Sequence, residues 1–77
     1  MMANPFQADV DESHIGSVVV TAGHVTIDWA ADRRAPKEVT AGVRFILKDI
    51  KGNLGFFWRD DMGVVAFPIT AVDYYER

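Results

Sequence analysis

The sequence predicts an all-β fold, a small five-stranded antiparallel meander curled into a barrel. Three observations point there. The stretches Val43–Ile50, Leu54–Arg59 and Gly63–Phe67 are rich in aromatic and β-branched residues and alternate with period two. They are separated by Lys51-Gly52-Asn53 and Asp60-Asp61-Met62, whose acids and small residues suit tight turns. The number of inward-reading apolar residues is too large for a flat sheet, which would leave one apolar face and two edges exposed, and curling removes most of that exposure.

With 77 residues and no cysteine, the chain is one domain without disulfides or thiolate metal sites. A domain of this size buries a modest fraction of its surface, so a tight core, self-association or both must stabilise it. The start, Met1 to Gln7, has neither a basic nor an apolar segment of the kind that targets a chain for export. No apolar run approaches the roughly 18 residues of a membrane span. These features lead us to expect a cytoplasmic protein with no membrane partner.

Residues 1–13 read as a flexible lead-in, broken by Asn4-Pro5 and filled with Asp9, Asp11, Glu12 and Ser13, with Phe6 and Val10 as apolar anchors. Residues 14–77 form the barrel domain. His14 to Ala22 is the first strand, centred on the β-branched run Val18-Val19-Val20-Thr21. Ala22-Gly23 turns the chain into Val25–Ala30, where Val25, Ile27 and Trp29 face inward and His24, Thr26 and Asp28 outward. Ala31 to Thr40 is a polar connection in which Pro36 forbids a central strand. In Val43–Ile50 the residues Val43, Phe45 and Leu47 face the core. Leu54, Phe56 and Trp58 continue that face after the turn, followed by Val65 and Phe67. Val18, Val20 and Val72 complete the expected core. Pro68 interrupts the ladder, Ile69-Thr70-Ala71 fits a single 3₁₀ turn, and Val72–Tyr75 makes a last edge strand.

The tail from Trp58 to Glu76, with Gly63-Val64-Val65-Ala66-Phe67-Pro68 and Val72-Asp73-Tyr74-Tyr75-Glu76, resembles the end of an SH3-like barrel. There a strand reaches a proline, passes through a 3₁₀ turn and enters the last strand. The resemblance covers about a quarter of the chain and implies shape alone. The Ala-Leu-Tyr-Asp-Tyr run of proline-binding SH3 domains is absent, so their ligand groove is not carried over. Lys51-Gly52-Asn53-Leu54-Gly55-Phe56-Phe57 also resembles the Lys-Gly-Phe-Gly-Phe core of cold-shock domains. That resemblance implies bases stacked on Phe56, Phe57 or Trp58 with Arg44, Lys48, Lys51 and Arg59 along the phosphates. The glycines are spaced one residue wider than in that family, and Leu54 stands where its first aromatic would be.

Charge is segregated. Residues 1–32 hold five carboxylates and no Lys or Arg, residues 33–59 hold seven cations and two carboxylates, and residues 60–77 hold four carboxylates and one Arg. Either strand pairing mixes these signs, or the middle of the chain forms a basic face.

No catalytic set is evident. A nucleophile would have to be Ser13, Ser17 or a threonine with His14 or His24 as base, and no Gly-x-Ser-x-Gly elbow is present. Asp60-Asp61 diverge as neighbours in a strand or turn. Asp9 to His14 gathers carboxylates and an imidazole but lacks the glycine and final glutamate of a calcium loop. We therefore expect no enzyme, no cofactor and no metal. The expected function is a protein–protein interaction module, an adaptor or inhibitor of the kind phages and mobile elements encode. Its partner-binding residues would be Arg44, Ile46, Lys48, Phe57, Arg59, Tyr74 and Tyr75. The alternatives are single-stranded nucleic-acid binding by the 43–59 surface and a structural subunit of a homo-oligomer. Phe57 is the focal residue: if Leu54, Phe56 and Trp58 face the core, it faces outward beside Ile46 or Ile50.

Overall fold

The computed structural model describes residues 10–76. Among these the chain is all-β, with two 3₁₀ turns and no α-helix. The first turn, Glu12–His14, is capped by the Asp11 carboxylate, which accepts from the Ser13 N–H at 2.9 Å. The strands are β1 Val18–Thr21, β2 Val25–Thr26, β3 Trp29–Ala30, β4 Glu38–Val39, β5 Arg44–Lys51, β6 Leu54–Arg59, β7 Gly63–Pro68 and β8 Val72–Glu76. The second 3₁₀ turn, Ile69–Ala71, joins β7 to β8. The extents of the three-strand meander β5–β6–β7 and of β8 therefore agree with the sequence reading to within one residue.

Five strands become eight, and the expected barrel is not closed. Six strands form one antiparallel sheet in the order β3-β7-β6-β5-β1-β8, whose end strands do not pair with each other. β2 and β4 make a separate two-stranded sheet. The expected hairpin between the first two runs does not form, because both sides of β1 are taken by β5 and β8. His14 to Ser17 lies outside β1: Gly16 N–H donates to the Leu47 carbonyl at 2.8 Å, and Ser17 N–H to that of His14 at 2.9 Å. The Val25–Ala30 run divides at Ile27-Asp28. Ile27 N–H donates to Lys37 at 2.9 Å, toward the small sheet, while Asp28 N–H donates to Ala66 at 2.8 Å, in the large one. A chain that changes sheets loses its alternation, so Val25 is buried while Trp29 is 51% exposed.

The core is the inner face of the large sheet, closed by the small one. Val19, Phe45, Leu47, Phe57, Val65, Phe67 and Val72 cluster with Val25 of β2 and Val39 of β4. Val10 joins them at 4% exposure, so one of the two anchors of the lead-in belongs to the core. Phe6 falls outside the described residues. Phe57 stacks on Phe67 with centroids 4.0 Å apart and rings 10° from parallel, and Phe45 meets both rings edge-on.

Phe57 therefore points into the core, not outward, and the cause is a single residue. Lys51 pairs with Leu54 across a two-residue turn, and Asp49 pairs with Phe56. Continued without interruption, that register would set Leu47 opposite Trp58 and put Leu54, Phe56 and Trp58 on the Phe45/Leu47 face. A β-bulge at Lys48 inserts one extra residue on β5, and Leu47 instead faces Phe57 while Ile46 faces Trp58. Side-chain parity in β6 is thereby inverted. Gly55 and Phe57 turn inward, and Leu54, Phe56 and Trp58 turn outward. Gly55 is glycine because of this inversion. A Cβ there would lie 2.5 Å from Phe57 Cζ and 2.9 Å from Ile69 Cγ2.

Pro68 is accommodated by the topology. The Val64 and Ala66 carbonyls of β7 accept from Ala31 and Asp28 on the β3 side, whereas Ile69 N–H turns to Asn53 on the β6 side. By that alternation the missing N–H of Pro68 faces the sheet edge beyond the end of β3, where no ladder bond is lost.

Candidate interaction surface

The outer face of the large sheet can be built row by row from the strand register. Lys51, Leu54 and Pro68 form one row. Asp49, Phe56, Ala66 and Trp29 form the next. Glu76, Val18, Ile46, Trp58 and Val64 form the third, and Tyr74, Val20 and Arg44 the fourth. The middle of this face is apolar. Trp29 meets Phe56 edge-on, with centroids 6.1 Å apart, and Ala66 between them is fully buried. Trp58 is 37% exposed, and Leu54, Phe56, Val18, Ile46 and Val64 are half-buried. Both tryptophans of the chain thus lie on this one face. Beside Trp58 is a cleft of about 150 Å³ lined by Val18, Arg44, Phe45, Ile46, Trp58, Arg59 and Asp60.

The residues expected to bind a partner are only partly gathered here. Arg44 and Ile46 are on the face, and Arg59 reaches the cleft. Lys48, at the bulge, is exposed. Phe57 has no exposure and can touch no partner. Its place is taken by Phe56, Trp58 and Trp29, which the periodicity assigned to the core. The tyrosines divide. Tyr75 packs against the core and meets the His14 ring at 4.0 Å, the planes tilted by 41°, on the opposite side of β8 from the outer face. Tyr74, half-buried, shares the fourth row with Val20 and Arg44. The bulge could not be foreseen from alternation. The one local signal was Gly55, a residue that weakens a strand unless something approaches its Cα closely.

The arginines at this face are charge-paired. Arg44 donates to both carboxylate oxygens of Glu76, at 3.3 and 3.0 Å, and its pKa is raised, first by those hydrogen bonds and then by the carboxylate charge. Arg59 donates from Nε to Asp61 at 2.8 Å and from Nη1 to the Arg44 carbonyl at 3.0 Å. Lys51 Nζ lies 5.9 Å from the Phe56 ring centroid. With Asp49 in the Phe56 row, the signs are interspersed, and among the described residues no continuous basic stripe crosses the face.

A second hollow, of about 350 Å³, is lined by Ser13, His14, Ser17 and Tyr75. Its groups serve the first 3₁₀ turn. Ser13 Oγ donates to the Asp11 carboxylate, and His14 Nδ1 accepts from Asp11 N–H at 3.1 Å. Ser13 Oγ thus turns to the Asp11 carboxylate and not to the imidazole. His24 is exposed, 3.5 Å from Glu38. Among the described residues no three acidic, histidine or cysteine side chains converge as a metal site, and no helix is long and apolar enough to cross a membrane. No protein-family model, curated protein or solved structure matches the chain.

Proposed function

We propose that this protein is a non-enzymatic protein–protein interaction module, an adaptor or inhibitor, that docks through the outer face of its large sheet. One observation carries the reading. Trp29, Phe56 and Trp58 stand together on a face that no other element of the described chain covers. Tryptophan is the residue type most enriched where binding energy concentrates, and flanking arginines are the next signal. Arg44 and Arg59 flank this face, each paired with a carboxylate. The succession of β7, Pro68, the second 3₁₀ turn and β8 supports a kinship of shape with SH3-like domains, although the sheet is open.

The test is a pull-down from the native host with the wild-type chain and Trp58→Asp, read alongside light scattering. Loss of bound protein with an unchanged far-UV spectrum is expected. An identical set of captured partners with both chains would overturn the reading.

Single-stranded nucleic-acid binding is the second reading, favoured by the half-buried Phe56 ring beside Lys51 and the exposed Lys48. The ion pairing of Arg44 and Arg59 weighs against it, because phosphate contact requires free cations. Retention of a labelled single strand on a filter at low salt, falling steeply as salt rises, would establish it in place of the first.

A further inference from the structure

We infer that the exposed turn at Arg33-Arg34 is a proteolytic site, and that hydrolysis there converts the protein into a folded complex of two chains held by strand pairing. Water adds across the amide after Arg33 or Arg34, leaving a carboxylate on one half and an amine on the other. The inference is carried by which strands pair. β1, β2 and β3 precede the turn, and β4 to β8 follow it. β1 pairs with β5 and β8, β2 with β4, and β3 with β7. Among the described residues, every ladder of the first half is therefore made with the second half, and none lies inside the first. β8 in turn reaches the large sheet only through β1. The second half thus holds a slot one strand wide between β5 and β8, and the first half fills it, as a donated strand completes a sheet. Further bonds cross between the halves. Gly42 N–H donates to the Thr21 carbonyl at 2.9 Å, and Ala22 N–H to that of Ala71 at 2.8 Å. The buried Thr21 hydroxyl donates to the Thr40 carbonyl and accepts from Val43 N–H. Val10, Val19 and Val25 carry the first half's share of the core cluster. None of these contacts uses the covalent link at residues 33–34.

The turn is held by local bonds. Ala35 N–H donates to the Asp32 carbonyl at 3.2 Å, and Arg34 donates to the Asp32 carboxylate from its N–H at 2.9 Å and from Nε at 3.0 Å. Arg33 and Arg34 are exposed, and Ala35 packs against the margin of the core. A protease takes its substrate extended, so the turn must open to be cut. Opening it breaks bonds within residues 32–35, lifts Ala35 from the core and leaves every ladder standing. Such local openings lie at the low end of the free energies by which a fold opens. Arg44, Lys48, Lys51 and Arg59 lie within β5 and β6, where cleavage requires a ladder to part. Lys37 adjoins the turn, but its carbonyl accepts from Ile27 N–H at 2.9 Å and is tied to the first half.

The experiment is limited digestion of the native full chain with trypsin, followed by mass spectrometry, size-exclusion chromatography and thermal melts. The first cut is expected after Arg33 or Arg34. The nicked chain should elute with the intact one, keep its far-UV spectrum and release two fragments only on denaturation. Its melting temperature should rise with concentration between about 1 and 100 μM, a range bracketing moderate affinities. That of the intact chain should stay constant, because only the nicked chain unfolds into separate molecules. Arg33→Gln and Arg34→Gln together should abolish the early cut, leaving the protein whole at times when the wild type is fully nicked. A first cut within β5 or β6, or an early cut that survives both glutamines, overturns the site. Digestion to small peptides without a two-chain stage, or fragments that separate under native conditions, overturns the complex. So does a nicked chain whose melting is independent of concentration. The docking role of the outer face stands or falls separately, on the pull-down.

Discussion

Replacing Phe57 with alanine removes a ring that has no solvent exposure, stacks on Phe67 at 4.0 Å and meets Phe45 edge-on. Deleting a buried Phe side chain costs about 3–5 kcal/mol, the transfer of the ring plus the cavity left behind. The stacking and complete burial place Phe57 in the upper half of that range. A domain of 77 residues holds roughly 4–12 kcal/mol in all, so Phe57→Ala should leave the chain close to its unfolding threshold. Phe56, the next residue, presents the opposite case. It is half-buried, and alanine there forfeits an edge contact with Trp29 and a cation contact with Lys51, about 1–2.5 kcal/mol together. Urea melts followed by far-UV circular dichroism measure both, with constant m-values as the control for two-state behaviour. Phe57→Leu, which keeps most of the apolar volume, should cost no more than about 1.5 kcal/mol and keeps the comparison available if the alanine variant is unfolded. If Phe56→Ala proves as damaging as Phe57→Ala, the bulge at Lys48 does not set the parity of β6, and the outer face is wrongly assigned with it.

Three further outcomes follow from the same geometry. Gly55→Ala should lose about 1–3 kcal/mol by overpacking against Phe57 and Ile69, and Phe57→Leu in the same chain should recover part of it, a coupling that a double-mutant cycle in urea detects. Thr21→Val should cost about 1–3 kcal/mol and speed amide exchange at Val43, because the buried Thr21 hydroxyl accepts from Val43 N–H at 3.0 Å while donating to the Thr40 carbonyl at 2.7 Å. The Asp32 carboxyl is held below its ordinary value of 3.8, first by the Arg34 side chain and then by the Arg34 N–H. A lowered folded pKa contributes stability above the unfolded value, and that contribution fades as pH falls through the folded one. Carboxyl ¹³C shifts of Asp32 should therefore titrate below the ordinary aspartate range, and Arg34→Ala should return Asp32 to it.

Much of the fold was legible because it is local. The meander from Val43 to Phe67 announces itself by alternation, and its turns by Gly52-Asn53 and by Gly63, whose φ of 74° is one that few other residues adopt. Pro68 and the short Ile69-Thr70-Ala71 segment mark the passage from β7 to β8 for equally local reasons. The partners of β1 were not legible. Val18–Thr21 pairs with strands more than twenty residues away on both sides, and nothing in Val18-Val19-Val20-Thr21 distinguishes those partners from the nearer Val25–Ala30. The change of sheet at Ile27-Asp28 was hidden in the same way, since a clean alternation was read as one strand. Of the expected binding residues, Arg44 and Ile46 lie on the outer face and Arg59 at its cleft, where the regular part of β5, up to Leu47, sets the pairing. Phe57 was misplaced because β5 ceases to be regular one residue later.

The sequence by itself determined that this protein is an all-β chain, which runs are strands in its second half, and that aromatic residues concentrate on Leu54 to Trp58. These properties depend on near neighbours along the chain, through torsional preference, turn chemistry and period-two burial. Only the tertiary structure decided which aromatics are core and which are surface. A single extra residue at Lys48 reverses every side chain of β6, and a chain crossing from one sheet to another frees Trp29 from the face that Val25 occupies. Parity is a collective property of paired strands, so it is fixed by the register between them and not by either strand alone.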